Sequence, residues 1–396
     1  MTLASKMAER NSNITVEYVD LDTNPTFASN YSEALSTGSV IVETEQRHRV
    51  LSINDLFSTS TNQQTYQTTY YSRVDGALAS AVNQANATAL PVAAFVTGHN
   101  EMMDSSALKS LLSSNNFETV DFNLLTDEIP EDTQLLVITT PSTDFTEEEL
   151  EKLDNYLNDT SRAATRSMMV TFYPSQDEMP VLASFMEEWG VRVSKDVVVE
   201  TDASHVVSSN PTAIMVDTSG SSIDFGGSTS TYNYLTMPQS SPIELLYSTQ
   251  SGITTYELAS SYDTTYRVSA DNTNNADTEN TDSYLVAALS QKPISVDGEN
   301  YTANVFTLTS SLMIDGTYLN SSAFANSTYL VDMVKYATDT TNSDMGVTIK
   351  SVEVNALDLT MSASLATVIG LVIFTIIIPL GILIAGIVVF LKRRHL

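Results

Sequence analysis

Twenty-seven consecutive residues near the carboxyl end of this chain, Leu365 to Leu391 (LATVIGLVIFTIIIPLGILIAGIVVFL), carry no charge. A helix of this length covers roughly 40 Å, more than the hydrocarbon core of a bilayer, so the segment predicts a tilted transmembrane helix. Pro379 lies mid-span, where membrane helices tolerate a kink. Lys392, Arg393 and Arg394 follow at once, and the positive-inside rule puts that end in the cytoplasm. Residues 1–364 hold all 48 acidic residues and 15 of the 18 basic ones, a net charge of −33. The expected topology is a single pass through the cell membrane at the C-terminus. It leaves an acidic extracytoplasmic domain on one side and a five-residue cytoplasmic tail, 392–396, on the other. The amino terminus (MTLASKMAERNSNITVEYVD) has no apolar run that could serve as signal or anchor. The chain is therefore either tail-anchored or has lost an N-terminal span. The charge pattern favours the second, and a truncated N-terminus is the expectation.

Composition closes off several functions. A formal charge of −30 over 396 residues is unsuited to nucleic acid, whose phosphates need basic patches. With no cysteine there is no disulfide, thiol nucleophile or cysteine-ligated metal. Four histidines make a His-rich metal site unexpected. Nothing reads G-x-x-x-x-G-K-[ST], so the chain is not itself a P-loop ATPase, and one span cannot form a permease.

Upstream, residues 14–19 (ITVEYV), 39–43 (SVIVE) and 49–53 (RVLSI) predict strands, with a short helix at Thr26–Leu35. They form a partial α/β module over 1–57. Residues 58–87 read as a polar Tyr-bearing linker (Tyr66, Tyr70, Tyr71) and an Ala-rich helix. Strands and helices then alternate. PVAAFVT (91–97), FETVDF (117–122), QLLVITT (134–140), MMVTFY (168–173) and VRVSKDVVVE (191–200) predict strands. Ser105–Ser114, EEELEKLDNYL (147–157) and PVLASFMEEWG (180–190) predict helices, the second N-capped by Asp144 or Thr146. This pattern implies a parallel sheet with right-handed crossovers over 88–355. Residues 201–283 look irregular, with strands at SPIELLYST and ITTYELA and a mobile loop at 268–283. YLVAALS (284–290) and ANVFTLTSSLMID (303–315) resume the sheet, a helix covers Ser321–Ala337, and 346–354 predicts a last strand.

Several stretches together resemble the ABC-transporter auxiliary proteins of the gliding-motility (GldG) type. They are NITVEYVDLDTNPTFASNYS, VDGALASAVNQAN, PVAAFVTGHNE, NLLTDEIPEDTQLLVITTPSTDFTEEELEKLDNYL and NVFTLTSSLMIDGTYLNSSAFANSTYLVDMVKYAT. The C-terminal span with its basic tail fits as well. The resemblance implies a thioredoxin-like N-terminal module without redox cysteines. A flavodoxin- or glutamine-amidotransferase-like parallel-sheet domain follows, then the transmembrane helix. It also implies a non-catalytic accessory subunit beside an ABC ATPase and an ABC-2-type permease, with no cofactor and with membrane lipid around its helix. The transported substrate is not implied.

Thr97, Gly98, His99, Asn100 and Glu101 lie at the carboxyl end of the first parallel strand, and Pro141 and Ser142 follow the third. Open α/β sheets place ligand sites at such carboxyl ends, so these seven residues are the candidate ligand or partner site. His99 and Glu101 could exchange protons, giving a hydrolase or amidotransferase as the alternative. That reading lacks a Cys or a G-x-S-x-G serine, and His99 has no evident partner in the sequence. The blander reading makes the segment a structural turn in which His99 bonds a neighbouring loop. A structural cell-surface protein is a third possibility. Asp20, Asp22 and Asn24 have calcium-loop spacing, but Pro25 and Tyr31 occupy the positions that need Gly and Glu, so a turn is expected. Glu147–Glu151 reads as a solvated helix start and Trp189 as core.

Overall fold

The protein forms two compact units, Met1–Val352 and Glu353–Leu396. The computed structural model describes all residues except 1, 25, 32–34, 46, 62–67, 88–89, 227–231, 270–279, 322, 341–351 and 355–396; for 2, 58–61, 68, 352 and 353 it describes the backbone alone. The expected membrane helix at 365–391, the tail 392–396 and most of the strand expected at 346–354 lie outside the described residues. Among the described residues, no helix is long and apolar enough to cross a membrane.

The N-terminal region starts with α1 (Thr2–Arg10) and a hairpin of β1 (Val40–Glu43) and β2 (His48–Leu51). Ser52 and Asp55 close a capping box on α2 (Ile53–Leu56). β3 (Phe57–Thr61) then pairs antiparallel with β4 (Thr68–Ser72), and α3 (Val74–Asn86) follows. Leu51, Leu56, Ala77, Leu78 and Ala81 form its small core, with Met7, Val40, Val42 and Val74 packed against them. Three expectations fail here. Residues 14–19 form no strand, and no strand among the described residues pairs with them. Of the helix expected at Thr26–Leu35, the described residues form one 3₁₀ turn, Phe27–Asn30, and 32–34 lie outside the described residues. The expected linker contains β3 and β4, whose Thr and Tyr residues suit a pleated strand. At Asp20 the expected turn is present: its carboxylate accepts the Asp22 N–H.

In chain order the larger part runs β5 (Val92–Thr97), α4 (Ser106–Ser114), β6 (Glu118–Asn123), β7 (Thr133–Thr139), α5 (Glu147–Leu157), β8 (Arg166–Thr171), α6 (Pro180–Glu188), β9 (Val191–Val193) and β10 (Asp196–Glu200). It continues with β11 (Val206–Val207), β12 (Asn210–Met215), β13 (Thr236–Pro238), β14 (Ile243–Leu245), β15 (Thr249–Gln250), β16 (Ile253–Ser260), β17 (Thr265–Ser269), β18 (Leu285–Val296), β19 (Glu299–Leu308), α7 (Gly316–Leu319) and α8 (Asn326–Ala337). Among the described residues the main sheet has the order β15-β16-β18-β19-β8-β7-β5-β6. It is parallel from β19 to β6 but antiparallel from β15 to β19, so the expected parallel sheet is a mixed one. The reversal is local: Val296 pairs with Glu299 around Asp297-Gly298, both at positive φ (52° and 88°). An Asp-Gly pair of that conformation turns a strand back on itself.

Leu135, Leu136, Val137 and Ile138 are almost wholly excluded from solvent, as a strand covered on both faces requires. Successive side chains serve opposite layers. Phe95, Val137, Met169 and Phe306 pack with Leu108 and Leu112 of α4 and Tyr329, Leu330 and Met333 of α8. Ala94, Leu136, Met168 and Val170 pack with Leu153 and Leu157 of α5, Leu182 and Phe185 of α6, and Trp189, which is core as expected. Much of 201–283 departs from its irregular expectation. β17 pairs with β10 from Asp196↔Ser269 to Glu200↔Thr265, and β12 lies between β11 and β13, whereas the strands expected at SPIELLYST and ITTYELA are present, the first as β14, which pairs with β9, and β15, the second as β16. The single strand expected at 191–200 is thus two, in different sheets. Most of the loop expected at 268–283 lies outside the described residues.

Asn326, wholly buried, accepts from the Thr236 N–H (3.1 Å) and donates to the carbonyls of Thr236 (2.8 Å) and Met313 (3.3 Å). Asn326→Ala orphans those groups and is expected to cost about 1–3 kcal/mol, read as a lower urea midpoint at unchanged slope. The acidic surface repels itself, so the thermal midpoint should rise between about 0.1 M and about 1 M salt. An unchanged midpoint would show that self-repulsion is not limiting.

Candidate functional site

β5 has β6 on one side and β7 on the other. The helix after β5 covers one face and the helix after β7 the other. The chain therefore leaves these neighbouring strands in opposite directions, which opens a crevice at their carboxyl ends, the topological switch point of an open sheet. Two loops line it, 98–105 and 140–146.

Each loop bends sharply. Gly98 sits at φ 105°, and a Cβ there would lie 2.8 Å from the Asn123 side chain. Asn100 has φ 50°. Thr140 is β-branched, fully buried and followed by proline, yet has φ 48°, a strained combination. Hydrogen bonds hold it: its N–H donates to the Thr171 carbonyl (3.2 Å), and its hydroxyl lies 2.8 Å from the Thr171 hydroxyl. Gln176 Nε2 donates to the Pro141 carbonyl (2.7 Å).

The loops are also tied to each other. The N–H groups of Ser142 and Thr143 both donate to the His99 carbonyl at 2.9 Å, and Met102 N–H donates to the Thr140 carbonyl at 2.9 Å. Ser142 Oγ donates to the Asn100 carbonyl (2.6 Å), and Asn100 Nδ2 donates to Thr143 Oγ1 (2.8 Å). Gly98, Asn100, Met102 and Thr143 remain exposed at the mouth.

The His99 ring lies beneath this rim, 4% exposed. It stacks on Phe145 at 3.9 Å between centroids, and its Nε2 is 3.1 Å from Glu149 Oε1. Glu149 Oε2 accepts from the Thr146 N–H (2.8 Å) and hydroxyl (2.9 Å), and the Glu149 N–H donates to Thr146 Oγ1 (3.3 Å), the capping box of α5. Glu101 turns back to accept the His99 backbone N–H (2.9 Å) instead of meeting the imidazole. His99 Nδ1 has no hydrogen-bond partner among the described residues.

Of the seven residues singled out in the sequence, the structure gathers Gly98, His99, Asn100, Glu101, Pro141 and Ser142. Thr97 stands apart: its hydroxyl donates to the Phe122 carbonyl (3.1 Å) and joins β5 to β6. Two readings need correction. His99 does have a partner, Glu149, and Glu149 is not solvated but 2% exposed. The T-x-x-E spacing of Thr146 and Glu149 was the available signal. Asp144, the other candidate cap, instead accepts from the Val181 and Leu182 N–H groups of α6 (2.9 and 3.1 Å). Among the described residues no group of three or more His, Asp or Glu side chains is placed to hold a metal ion.

The profile of a protein family described as "ABC-type uncharacterized transport system" matches residues 90–301, more than half of the chain and all of both crevice loops. The chain belongs to this family. It is thereby an auxiliary component of an ABC-type transport system. No curated protein matches it. Two solved structures resemble it over 63% of its length. They are the mmIFT52 N-terminal domain (17% identity, TM-score 0.44, 98% of that chain) and PurLQS from Thermotoga maritima (10% identity, TM-score 0.31, 100% of that chain). Likenesses this weak carry no argument.

Gly98→Ala should destabilise this auxiliary protein by about 1–3 kcal/mol through the strained φ. Gly220→Ala, where a Cβ meets nothing within 4 Å, should leave the urea midpoint near wild type. Equal effects would remove the special role of the Gly98 turn.

Proposed function

We propose that the protein is a non-catalytic, membrane-anchored binding subunit that works beside a separate ATPase and an ABC-2-type permease. The observation that carries this is the burial of His99. Its imidazole is stacked under Phe145 and held by Glu149 rather than presented to a substrate, and Glu101 is spent on a backbone N–H. A general acid or base has to reach the proton it moves. The arrangement instead favours a rigid rim, with Asn100, Met102 and Thr143 facing a ligand or partner.

In this proposal residues 1–57 are part of a thioredoxin-like module, 58–87 lead into the α/β domain, and 88–355 is a flavodoxin-like extracytoplasmic domain. The helix 365–391 lies in lipid against the permease, with 392–396 in the cytoplasm. The acidic surface weakens contact with anionic lipid headgroups and favours cationic partners.

Affinity purification from gently solubilised membranes, followed by mass spectrometry, tests the role. An ABC ATPase and a polytopic permease should be retained in near-equal amounts, and their reproducible absence would overturn it. Met102→Glu, at a side chain 44% exposed on the rim, should reduce that retention without moving the thermal midpoint. A reporter fused after Leu396 should be active in the cytoplasm.

A further inference from the structure

At the amino ends of the strands, away from the crevice, a cleft of about 460 Å³ opens between α5, the β6–β7 loop and the α5–β8 loop. Thr133 begins β7 and Arg166 begins β8, and both line it with Lys152, Tyr156 and Arg162. The chain has only 18 basic residues among 396, and three of them converge here.

The charges are unevenly satisfied. Arg166 is 4% exposed, and its guanidinium lies over the Tyr156 ring, 5.8 Å from the centroid. Its Nη1 reaches the Thr133 carbonyl at 3.5 Å and its Nη2 reaches Asp159 at 3.3 Å, both at or beyond the long end of the hydrogen-bond range. Asp159 is shared, since it also accepts the Ser161 N–H at 2.8 Å. Lys152 Nζ donates to the carbonyls of Leu124 and Asp127, both at 2.9 Å, and has no carboxylate partner among the described residues. Thr133 is 1% exposed, yet its hydroxyl has no hydrogen-bond partner among the described residues. Among the described residues the Thr133 hydroxyl has no acceptor, the Lys152 ammonium no carboxylate, and the Arg166 guanidinium only the long, shared contact with Asp159, so an oxyanion in the cleft would complete all three.

We propose that this cleft binds a small ligand through one oxyanion group, a carboxylate or a phosphate, received by Lys152, Arg166 and the Thr133 hydroxyl. Burial pushes the Tyr156 phenol up, so it stays neutral and its ring serves as apolar floor. Exposed Glu128 and Glu131 stand at the rim, and Arg162 is paired with Glu131 and Asp132. These carboxylates repel polyanions and restrict the site to a ligand with one such group. The inference is independent of the proposed transport role.

Isothermal titration calorimetry on the detergent-solubilised full chain tests it, with inorganic phosphate and acetate in separate arms. One of them should bind saturably with a Kd of about 1 mM or tighter, and which one separates phosphate from carboxylate. Lys152→Met should weaken that binding about tenfold. Arg166→Gln endangers the fold, so Thr133→Val is the decisive variant. It removes an unpaired buried hydroxyl and should keep or raise the thermal midpoint while weakening the anion severalfold. No saturable heat with either anion overturns the proposal, as does an affinity unchanged in both variants.

Discussion

One buried carboxylate does two jobs at the centre of this fold. Glu149 closes the capping box of α5 with one oxygen and faces the His99 imidazole with the other. It thereby joins the loop that leaves β5 to the helix that follows β7, across the point where the chain departs in opposite directions. Burying either group costs free energy; Glu149 is compensated by the two Thr146 hydrogen bonds and by the imidazole 3.1 Å away, and the imidazole by Glu149 and the stacked Phe145. The strained backbone at Thr140 and the left-handed turn at Gly98 persist because this pair, the stacked Phe145 and the loop-to-loop hydrogen bonds hold the surroundings in one arrangement.

The sheet beneath supplies the rigidity. Its centre is buried on both faces, with α4 and α8 on one layer and α5 and α6 on the other. Such a sheet presents two unlike ends. At the carboxyl ends of β5 and β7 are loops able to display polar groups, and at the amino ends of β7 and β8 is the cleft of Thr133, Lys152 and Arg166. Both ends lie within the stretch that places the chain among auxiliary components of ABC-type transport systems. α5 serves both, with Glu149 in its first turn and Lys152 and Tyr156 further along.

Where local signals were strong, the chain was legible. The apolar run ending at Gly98, the run ending before Pro141 and the acidic first turn of α5 each identify an element without reference to the rest. The candidate loops were legible for the same reason, because they follow recognisable strands. Residues 14–19 show the converse: alternation describes a strand's faces but cannot supply its neighbour. The strands within 201–283 were hard to see because Ser, Thr and Asn dilute the pattern, and because β10 finds β17 only some seventy residues on. The Asp297-Gly298 hairpin carries a local signal of its own, an Asp-Gly pair between two apolar runs. The T-x-x-E spacing marks Glu149, and not the exposed Glu147 or Glu148, as the capping-box partner of Thr146, but no short window places its second oxygen against His99, fifty residues earlier.

By itself the sequence determined that this is an acidic, cysteine-free α/β chain, with its candidate residues at strand ends and one long apolar segment at 365–391. Composition, hydrophobic period and turn chemistry act over a few residues, and no folding is needed to read them. Tertiary structure alone decided that the sheet is mixed, that the His99 ring is buried against Phe145 and Glu149, and that three scattered cations line one cleft with a buried hydroxyl that has no partner among the described residues. Those outcomes rest on contacts between residues far apart in the chain, whose free energy is set by burial and geometry that no short window contains.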